Sequence, residues 1–357
     1  MTSTNPHVRT PSIAVIVPNW NDARFLPRCI SSILDQEVPP DELILVDDQS
    51  TDDSVAVMRS LIASRSGVQL IENMVNLGVY GAVDEGLKRS RSEYVLFLSS
   101  NDFVLPGIFA RAKTCLTKCP GVGLWSAMGW LVDEEDRVIA LHSSPAIARG
   151  DACFTPEQCL QLAWRFGNWF TGTTLIYHRD TLDAAGRFDP ANKGLADLIT
   201  ALIVASRRGA AYSPIPLAAV RIHRGSHISS TLGDTAVIDS ILERLREHGP
   251  NLAPHLLTSA FLDRTALRFH YMAVYTSRGA AICGVAEKCT GWSRRALVWI
   301  DRIVPPRFWR FRVRLASLVL CPFDFVHMFW NRVVVRTIMQ VRYRQSAIES
   351  ASARRSR

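Results

Sequence analysis

Four short apolar runs in the first hundred residues alternate with segments that have helical patterns. The runs are Ile13–Val17, Leu43–Val46, Val68–Ile71 and Tyr94–Leu98. Their nearly continuous apolar character is typical of strands that are covered on both faces of a sheet. Helices are predicted between them, over Phe25–Asp35, Ser54–Ile62 and Gly81–Lys88. This alternation predicts an α/β fold with a mostly parallel central sheet.

Beyond residue 107 the alternation is less regular. Helices are predicted over 108–116, 157–166 and 195–207, and strands over 122–128, 138–141, 173–177 and 216–222. From residue 235 on, helical patterns dominate. We therefore predict a flexible N-terminus over residues 1–11, a main domain over 12–233 and a helical C-terminal region over 234–357.

The charge of the chain is concentrated near its C-terminus. The formal net charge is +8, and residues 292–357 contain 14 arginines, no lysine and three acidic residues. Aromatic residues interleave with these arginines, which predicts an amphipathic surface for an anionic membrane face. A basic helical subdomain that packs its aromatics on the main domain is an equally weighted alternative. The lack of lysine and the apolar stretches argue against a nucleic-acid-binding arm.

Export and membrane spanning are not indicated by the sequence. The eight cysteines form no C-x-x-C pair, and we interpret them as reduced thiols. The first ten residues do not resemble a signal peptide, and no uncharged apolar run is long enough to span a bilayer. We expect a cytoplasmic protein, with peripheral association at the inner face of the cytoplasmic membrane.

Polar clusters follow three of the predicted strands. They are PNWND over residues 18–22, DDQSTDD over 47–53 and SSND over 99–102. Because parallel strands of an open sheet bind ligands at their carboxyl ends, we expect these clusters to line one ligand site. Asp residues also serve as turn and cap residues, but caps alone would not need both Asp pairs of the second cluster. Neither a P-loop nor a G-x-G-x-x-G turn follows any strand.

The ordered set of these motifs across residues 12–107 resembles the N-terminal half of family 2 glycosyltransferases. The matching features are the PNWND loop, a helix that ends in Gln36, VDDQSTDD, Asn76-Leu77-Gly78, and a strand followed by SSNDFVLP. The resemblance implies the GT-A fold and a nucleotide-diphospho-sugar donor, most simply of the UDP type. It also implies a divalent metal, Mg or Mn, at the diphosphate, and single displacement with inversion at the sugar.

The resemblance assigns donor-binding roles position by position. It implies that Pro18, Asn19 and Trp20 lie in a nucleotide-contacting loop, that Asp48 contacts the base, and that Asp47 is a further contact. The remaining implied donor-binding residues are Asn76, Gly78, Ser100, Asn101 and Arg221.

The acidic motif that holds the metal in this family is only partly present. Where the family usually has D-x-D-D, this chain has Ser99-Ser100-Asn101-Asp102. Asn101 and Asp102, together with His223, are the implied metal ligands, although an amide oxygen brings no charge to a site that prefers carboxylates. The alternative is that Asn101 and Asp102 cap the helix that follows.

The second half carries the implied acceptor side. Gly186-Arg187-Phe188-Asp189 resembles the family's G-x-F-D, and Asp197 takes the position of the general base at a helix start, while the neighbouring Glu is replaced by Ala196. Asp197 could instead be an ordinary acid of a first helical turn. The segment from Arg221 to Ser229 resembles the one that closes the donor site, and His223 could alternatively be structural.

We therefore expect an inverting glycosyltransferase that acts on a lipid-linked or polysaccharide acceptor. A member of the same fold that binds nucleotide sugar without turnover is the alternative, because Ser99, Asn101 and Ala196 stand where the family has acids.

Overall fold

The computed structural model describes residues 10–222, 234–280 and 282–320. Within these ranges the chain divides into two compact units. Of the described residues, the first unit comprises 10–159, 169–189 and 200–222, and the second comprises 160–168, 190–199, 234–280 and 282–320. The two units are described separately below.

The first unit is built on a mixed sheet. Its strands are β1 (Ile13–Asn19), β2 (Glu42–Asp47), β3 (Val68–Glu72), β4 (Tyr94–Phe97), β5 (Phe103–Val104), β6 (Leu124–Val132), β7 (Val138–Leu141), β8 (Ala152–Phe154), β9 (Ile176–His178) and β10 (Ala210–Arg221). The strand order is β3-β2-β1-β4-β9-β6-β10-β5, with β7 beside β6 and β8 beside β10.

The N-terminal half of the sheet is parallel, as the sequence predicts. Strand β1 pairs in parallel with β2 and with β4, and β2 pairs in parallel with β3. Helices α1 (Leu26–Leu34), α2 (Ser54–Ile62) and α3 (Gly78–Arg89) connect these strands. The side chains of β1 from Ile13 to Val17 are fully buried, which explains the continuous apolar run. The register places Asn19 opposite Asp47, so β1 and β2 end at the same edge.

The other half of the sheet is less regular. Strand β9 pairs antiparallel with both β4 and β6, whereas β10 runs parallel to β6. Helices α4 (Ile108–Lys118), α5 (Pro156–Phe166), α6 (Arg179–Ala184) and α7 (Ala196–Arg208) belong to this part of the chain. All of the predicted helices and strands of this half are present, with shifted ends, except that the predicted strand over 173–177 begins as a 3-10 turn over Gly172–Thr174.

Strand β10 is longer than the sequence predicts. It begins at Ala210 rather than at Pro216, and its register with β6 shifts between Ser213 and Pro216 and again between Pro216 and Ala218. Proline cannot donate to a strand ladder, so a pattern that contains prolines argues against a strand. The register shifts accommodate the prolines within one long strand.

A disulfide bond corrects the interpretation of the cysteines. Cys119, at the end of α4, is bonded to Cys153 in β8. The prediction that all eight cysteines are reduced thiols is therefore wrong for this pair. Spacing rules detect cysteines that are close in sequence, whereas this pair lies 34 residues apart and is brought together by the pairing of β8 with β10.

The second unit contains the C-terminal helices. They are α8 (Thr235–Leu252), α9 (Ser259–Thr276), α10 (Ile282–Lys288), α11 (Gly291–Ile303) and α12 (Trp309–Leu320). One hydrophobic cluster joins α9 to α12 through Val274, Val285, Leu297, Ile300 and Ala316, among others. Of the helices that the structure describes, none combines the length and the apolar character needed to cross a membrane.

Substitutions of two glycines with the same backbone conformation can test how closely β8 packs against the start of β10. Gly209 (φ +73°) and Gly67 (φ +80°) both lie in the left-handed region, but a Cβ atom at Gly209 would overlap the carbonyl oxygen of Phe154, whereas Gly67 faces open space. Gly67→Ala should cost about 1 kcal/mol for the backbone conformation alone. Gly209→Ala should cost about 2–5 kcal/mol in total, because the overlap adds to that penalty. Urea unfolding of the two variants measures the difference, and equal losses would contradict the close approach of β8.

Candidate functional site

Asp47 holds together the loops that follow β1 and β2. Its Oδ1 accepts a hydrogen bond from Asn19 Nδ2 (3.0 Å), and its Oδ2 accepts one from the backbone amide of Ser50 (2.9 Å). Asn19 Nδ2 also donates to Ser50 Oγ (3.1 Å). Asn19 and Asp47 are each only 2% exposed. The two predicted donor-binding residues, Asn19 and Asp47, therefore form with Ser50 a hydrogen-bonded polar cluster at the end of the sheet, called here the polar joint.

Asn21 and Asp52 extend this joint toward the surface. The Oδ1 atom of Asn21 accepts from the backbone amide of Thr51 (2.7 Å), and Asn21 itself has a left-handed backbone (φ +56°), which asparagine tolerates. Asp52 accepts from the backbone amides of Ala23 (3.0 Å) and Ser54 (3.0 Å). Burial acts to raise the pKa of Asp52, but these hydrogen bonds outweigh it, and the pKa lies below its ordinary value.

Asp48 fixes a different loop, the one between β3 and α3. Its Oδ1 accepts from Asn73 Nδ2 (2.9 Å) and from the backbone amide of Leu77 (2.9 Å). Gln49 makes two further hydrogen bonds to the same loop. Its Oε1 accepts from the Asn76 backbone amide (3.0 Å), and its Nε2 donates to the Met74 carbonyl oxygen (3.0 Å). Asp48 is 2% exposed. Its predicted contact with the nucleotide base stays a prediction, and the structure shows the loop that it organises.

The other predicted residues of these loops lie at the same edge. Asn76 Oδ1 accepts from the Gly78 amide (3.0 Å), and Gly78 begins α3 with φ +72°, a conformation that favours glycine. Pro18 lies in β1 opposite Val46. Trp20 follows β1, and 57% of it is exposed. Its ring is therefore exposed to solvent at the edge of the sheet where the loops after β1, β2 and β3 begin.

Asp102 joins the loop after β4 to β10. Its Oδ1 accepts from the backbone amide of Arg221 (2.8 Å), and its Oδ2 accepts from Thr173 Oγ1 (2.9 Å). In the same loop, Ser100 Oγ donates to Asp22 Oδ2 (2.8 Å), which connects this loop to the one after β1. Each oxygen of Asp102 is thus engaged within the protein, and Asp102 is buried.

Arg221 is buried against the Ser99–Asp102 loop. Its guanidinium donates to the carbonyl oxygens of Asn101 (2.7 Å), Asp133 (3.0 Å) and Glu134 (3.0 Å). It also pairs with Asp136 at 2.6 Å, and its side chain is 2% exposed. The geometry shows Arg221 supporting the loop from inside, while its predicted contact with the donor stays a prediction.

The described residues do not form a metal cage. No group of three or more His, Cys, Asp or Glu side chains within residues 10–222, 234–280 and 282–320 is arranged to hold a cation. Asp102 bonds to Arg221 and Thr173, and the carbonyl of Asn101 accepts from Arg221. His223, the third predicted ligand, lies outside the described residues. Within the part of the chain that the structure describes, Asn101 and Asp102 therefore do not form a preformed metal site by themselves.

Asp197, the predicted general base, lies in the first turn of α7, in the part of the chain that belongs to the second unit. Its side chain is exposed to solvent. Desolvation by the protein around it nevertheless raises the pKa of Asp197 above its ordinary value, against a weaker opposing effect of its own backbone amide. A raised pKa brings a carboxylate closer to the range in which it exchanges protons near neutral pH.

Several residues that organise the site were given no individual role by the sequence, although four of them lie within the strand-end clusters. They are Asn21, Asp22, Gln49, Ser50, Asn73 and Thr173. The strand-end clusters contain Asn21, Asp22, Gln49 and Ser50, whereas Asn73 and Thr173 lie outside them. Thr173 is different, because 71 residues separate it from Asp102 and only the folded sheet brings the two together.

Comparison with known proteins agrees with this architecture. Residues 14–112 match the family model of Glycosyl transferase family 2. The chain is 36% identical over 94 residues to an uncharacterized glycosyltransferase of Haemophilus influenzae, a match that covers 26% of this chain and 38% of that protein. It is 33% identical over 95 residues to a poly(ribitol-phosphate) beta-glucosyltransferase of Bacillus spizizenii, covering 26% of this chain and 15% of that protein.

A longer match extends into the second half of the chain. An uncharacterized glycosyltransferase of Nostoc sp. is 30% identical over 183 residues, which cover 50% of this chain and 54% of that protein. These matches thus span about half or less of the relatives' own lengths.

Two solved structures share the fold. S. aureus TarS 1–349, in complex with UDP-GlcNAc, superposes with a TM-score of 0.55 at 19% identity, covering 94% of this chain and 92% of that one. The mannosyltransferase PcManGT from Pyrobaculum calidifontis, in complex with GDP-Man and Mn2+, superposes with a TM-score of 0.52 at 17% identity, covering 89% and 88%.

The chain therefore has the GT-A fold with a helical C-terminal region, as the sequence predicts. Its residues 14–112 match the glycosyl transferase family 2 model, so the resemblance seen in the motifs is confirmed over that part of the chain.

The hydrogen bonds of Asp48 make a testable prediction about the loop before α3. Asp48→Ala removes the acceptor for Asn73 and for the Leu77 amide, so the Leu77 amide should exchange hydrogen faster, with a stability loss of about 1–3 kcal/mol. Hydrogen–deuterium exchange measures the first effect and urea unfolding the second. Asp53→Ala is the matched control, because Asp53 is exposed and makes no capping bond. Unchanged exchange at Leu77 in Asp48→Ala would contradict the role of Asp48.

Proposed function

We propose that this protein is an inverting glycosyltransferase. It transfers a sugar from a nucleotide-diphosphate donor to a hydroxyl group of a lipid-linked or polysaccharide acceptor. The observation that carries the proposal is the set of loops at the carboxyl edge of the sheet. Three separate hydrogen bonds hold these loops to one another, namely Asn19 to Asp47, the Leu77 amide to Asp48, and Ser100 to Asp22. Such an edge is where open α/β sheets bind nucleotides.

We propose a donor of the UDP type, which the resemblance of the motifs implies. TarS binds UDP-GlcNAc and PcManGT binds GDP-Man, and both share the fold of this chain, which supports a nucleotide-sugar donor. The exposed ring of Trp20 offers a flat apolar surface on which a base can stack. It follows β1, next to loops that Asp47 and Asp48 hold by hydrogen bonds to Asn19 and to the Leu77 amide. Asn76 and Gly78 lie in the loop that Asp48 holds, and that loop supplies a backbone wall for the donor.

Asp197 supplies the base in the proposed reaction. Its carboxylate takes the proton from the acceptor hydroxyl, and the hydroxyl oxygen forms a bond to the anomeric carbon of the sugar. The bond from that carbon to the diphosphate oxygen breaks on the opposite face, and the nucleoside diphosphate leaves with the bonding electrons. One displacement of this kind inverts the configuration at the sugar. The raised pKa of Asp197 favours this role, since a stronger base accepts the proton more readily.

No step of this mechanism is assigned to a metal. Mg²⁺ and Mn²⁺ are usually held by one or two carboxylates together with substrate phosphates. The candidate carboxylate, Asp102, is occupied by Arg221 and Thr173. Activity with and without manganese decides whether a metal is required.

A second candidate function is nucleotide-sugar binding without transfer. The observation that favours it is the replacement of family acids by Ser99, Asn101 and Ala196, together with the engaged oxygens of Asp102. Asp197 stands against it, because the predicted base is retained.

A donor panel separates the two candidates. The protein is incubated with UDP-, GDP- and TDP-linked sugars, with manganese or with a chelator, and both donor consumption and thermal stabilisation are measured. The proposal expects that one donor raises the unfolding temperature and is also consumed. Stabilisation by a donor that is never consumed, under any metal condition and with glycan and lipid-linked acceptors present, would favour the second candidate.

Substitution of Asp197 tests the base. Asp197→Asn should lower kcat by about 100-fold or more with donor stabilisation retained, since loss of a general base typically costs this factor. In the wild type, kcat/KM should fall as pH is lowered through the raised pKa of Asp197, because protonation removes the base. Asp263→Asn, which alters an exposed carboxylate of the second unit, is the control and should keep both the rate and the acid limb. A wild-type rate in Asp197→Asn would remove Asp197 from the mechanism.

The folding of Asp197→Asn is checked separately. Asp197 is exposed and lies in the first turn of α7, where an acidic side chain interacts favourably with the helix N-terminus. The free energy of unfolding of Asp197→Asn in urea should therefore lie within about 1 kcal/mol of the wild-type value. An inactive variant that unfolds as the wild type does would separate loss of chemistry from loss of fold.

A further inference from the structure

Helix α11 presents an apolar face to solvent. Trp292, Trp299 and Ile303 are spaced by seven and four residues, so they lie on one side of the helix. They are 66%, 56% and 56% exposed. The opposite side is buried through Leu297 and Ile300, which belong to the hydrophobic cluster of the second unit. The helix therefore already has a packed side, and its aromatic side is not needed for the core.

The turn after α11 and the start of α12 continue this exposure. Phe308, in the 3-10 turn over Pro306–Phe308, is 53% exposed, and Phe311, in α12, is 54% exposed. Helix α12 is buried on its other side through Val313 and Ala316, so it too has a packed side and a solvent side. Leu318 adds a further exposed apolar side chain to the solvent side. Four large aromatic side chains thus face solvent within twenty residues of chain.

Arginines accompany these aromatics. Residues 291–320 contain seven arginines and one acid, Asp301, which gives this segment a formal charge of +6. The acid pairs with Arg312, which is buried. The other six arginines are exposed, at positions 294, 295, 302, 307, 310 and 314. On α11, Arg295 and Arg302 lie three residues from Trp292 and Trp299, along the border of the aromatic side.

We propose that this surface, formed by the exposed side chains of residues 292–318 and called here the aromatic–arginine face, docks on an anionic lipid bilayer. The tryptophan and phenylalanine side chains insert at the boundary between the lipid headgroups and the acyl chains. Arginine side chains at the border reach lipid phosphates, and each adds attraction to a negatively charged leaflet. The helices lie along the bilayer surface.

Charge complementarity selects this occupant over a second copy of the chain. Two copies of the aromatic–arginine face would bring twelve exposed arginines together with no exposed acid of residues 291–320 to compensate them. An anionic bilayer instead offers both a negative surface and an apolar layer beneath it. A nucleic acid would satisfy the charge but would leave Ile303 and Leu318 in contact with water.

The test is vesicle co-sedimentation of the full chain and of two double variants. The vesicles contain phosphatidylcholine alone, or phosphatidylcholine and phosphatidylglycerol in equal amounts. The first variant, Trp292→Ser with Trp299→Ser, removes the insertion side chains of α11. The second, Arg295→Gln with Arg302→Gln, removes two bordering charges. Circular dichroism and the unfolding temperature confirm that each variant is folded.

Matched controls change the same residue properties elsewhere. Val138→Ser with Ile139→Ser removes exposed apolar side chains of β7, and Arg89→Gln with Arg149→Gln removes two exposed arginines of the first unit. The wild type and both controls should sediment with the anionic vesicles and remain in solution with phosphatidylcholine alone. The tryptophan variant should lose sedimentation, and the arginine variant should bind roughly 30-fold more weakly, since each arginine contributes about fivefold.

Three outcomes would overturn the proposal. The first is that the wild type fails to sediment with anionic vesicles. The second is that the two face variants bind as the wild type does, or that the controls lose binding equally. The third is that the variants change the oligomeric state or the retention of a DNA duplex in gel filtration, while vesicle binding stays the same.

Discussion

Two adjacent carboxylates at the end of β2 hold the architecture of the site. Successive side chains of a strand point to opposite sides, so Asp47 and Asp48 reach different neighbours from one strand end. Asp47 binds Asn19 and the Ser50 amide, and Asp48 binds Asn73 and the Leu77 amide. Both are buried, and an unmade hydrogen bond to a buried carboxylate is costly. The loops that follow three parallel strands are therefore fixed from a single point.

A second joint, at Asp102 and Arg221, couples the parallel half of the sheet to β10. Asp102 accepts the Arg221 amide, and the Arg221 guanidinium returns to the carbonyl of Asn101, so each residue supports the segment of the other. Buried charges of this kind are stable only when all their polar atoms find partners. The carboxylate of Asp102 therefore connects the loop after β4 to β10 and to Thr173.

Much of the fold follows from patterns that are local in sequence. The continuous apolar runs of β1, β2 and β4 and the helical spacing of α1 and α2 locate these elements, because strands that are buried on both sheet faces are apolar throughout. Strand β3 differs from the prediction, since it lies at the edge of the sheet and is only partly buried. Strand β10 was only half predicted, since its prolines obscure a strand that register shifts rescue. The polar strand ends indicated where the site lies, but the partner of each carboxylate could not be predicted. Thr173 and Arg221 reach Asp102 across 71 and 119 residues, and only the sheet order sets such contacts.

The disulfide between Cys119 and Cys153 has a thermodynamic consequence for the whole first unit. It closes a loop with a sequence separation of 34 residues that contains β6 and β7. By the chain-entropy model, closing a loop of this length removes freedom from the unfolded chain that is worth about 4 kcal/mol. Domains are typically stable by only about 5–15 kcal/mol in total. The thiol–disulfide balance of the surroundings therefore sets a large share of the margin between the folded and the unfolded protein, at a distance in sequence from every residue of the candidate site.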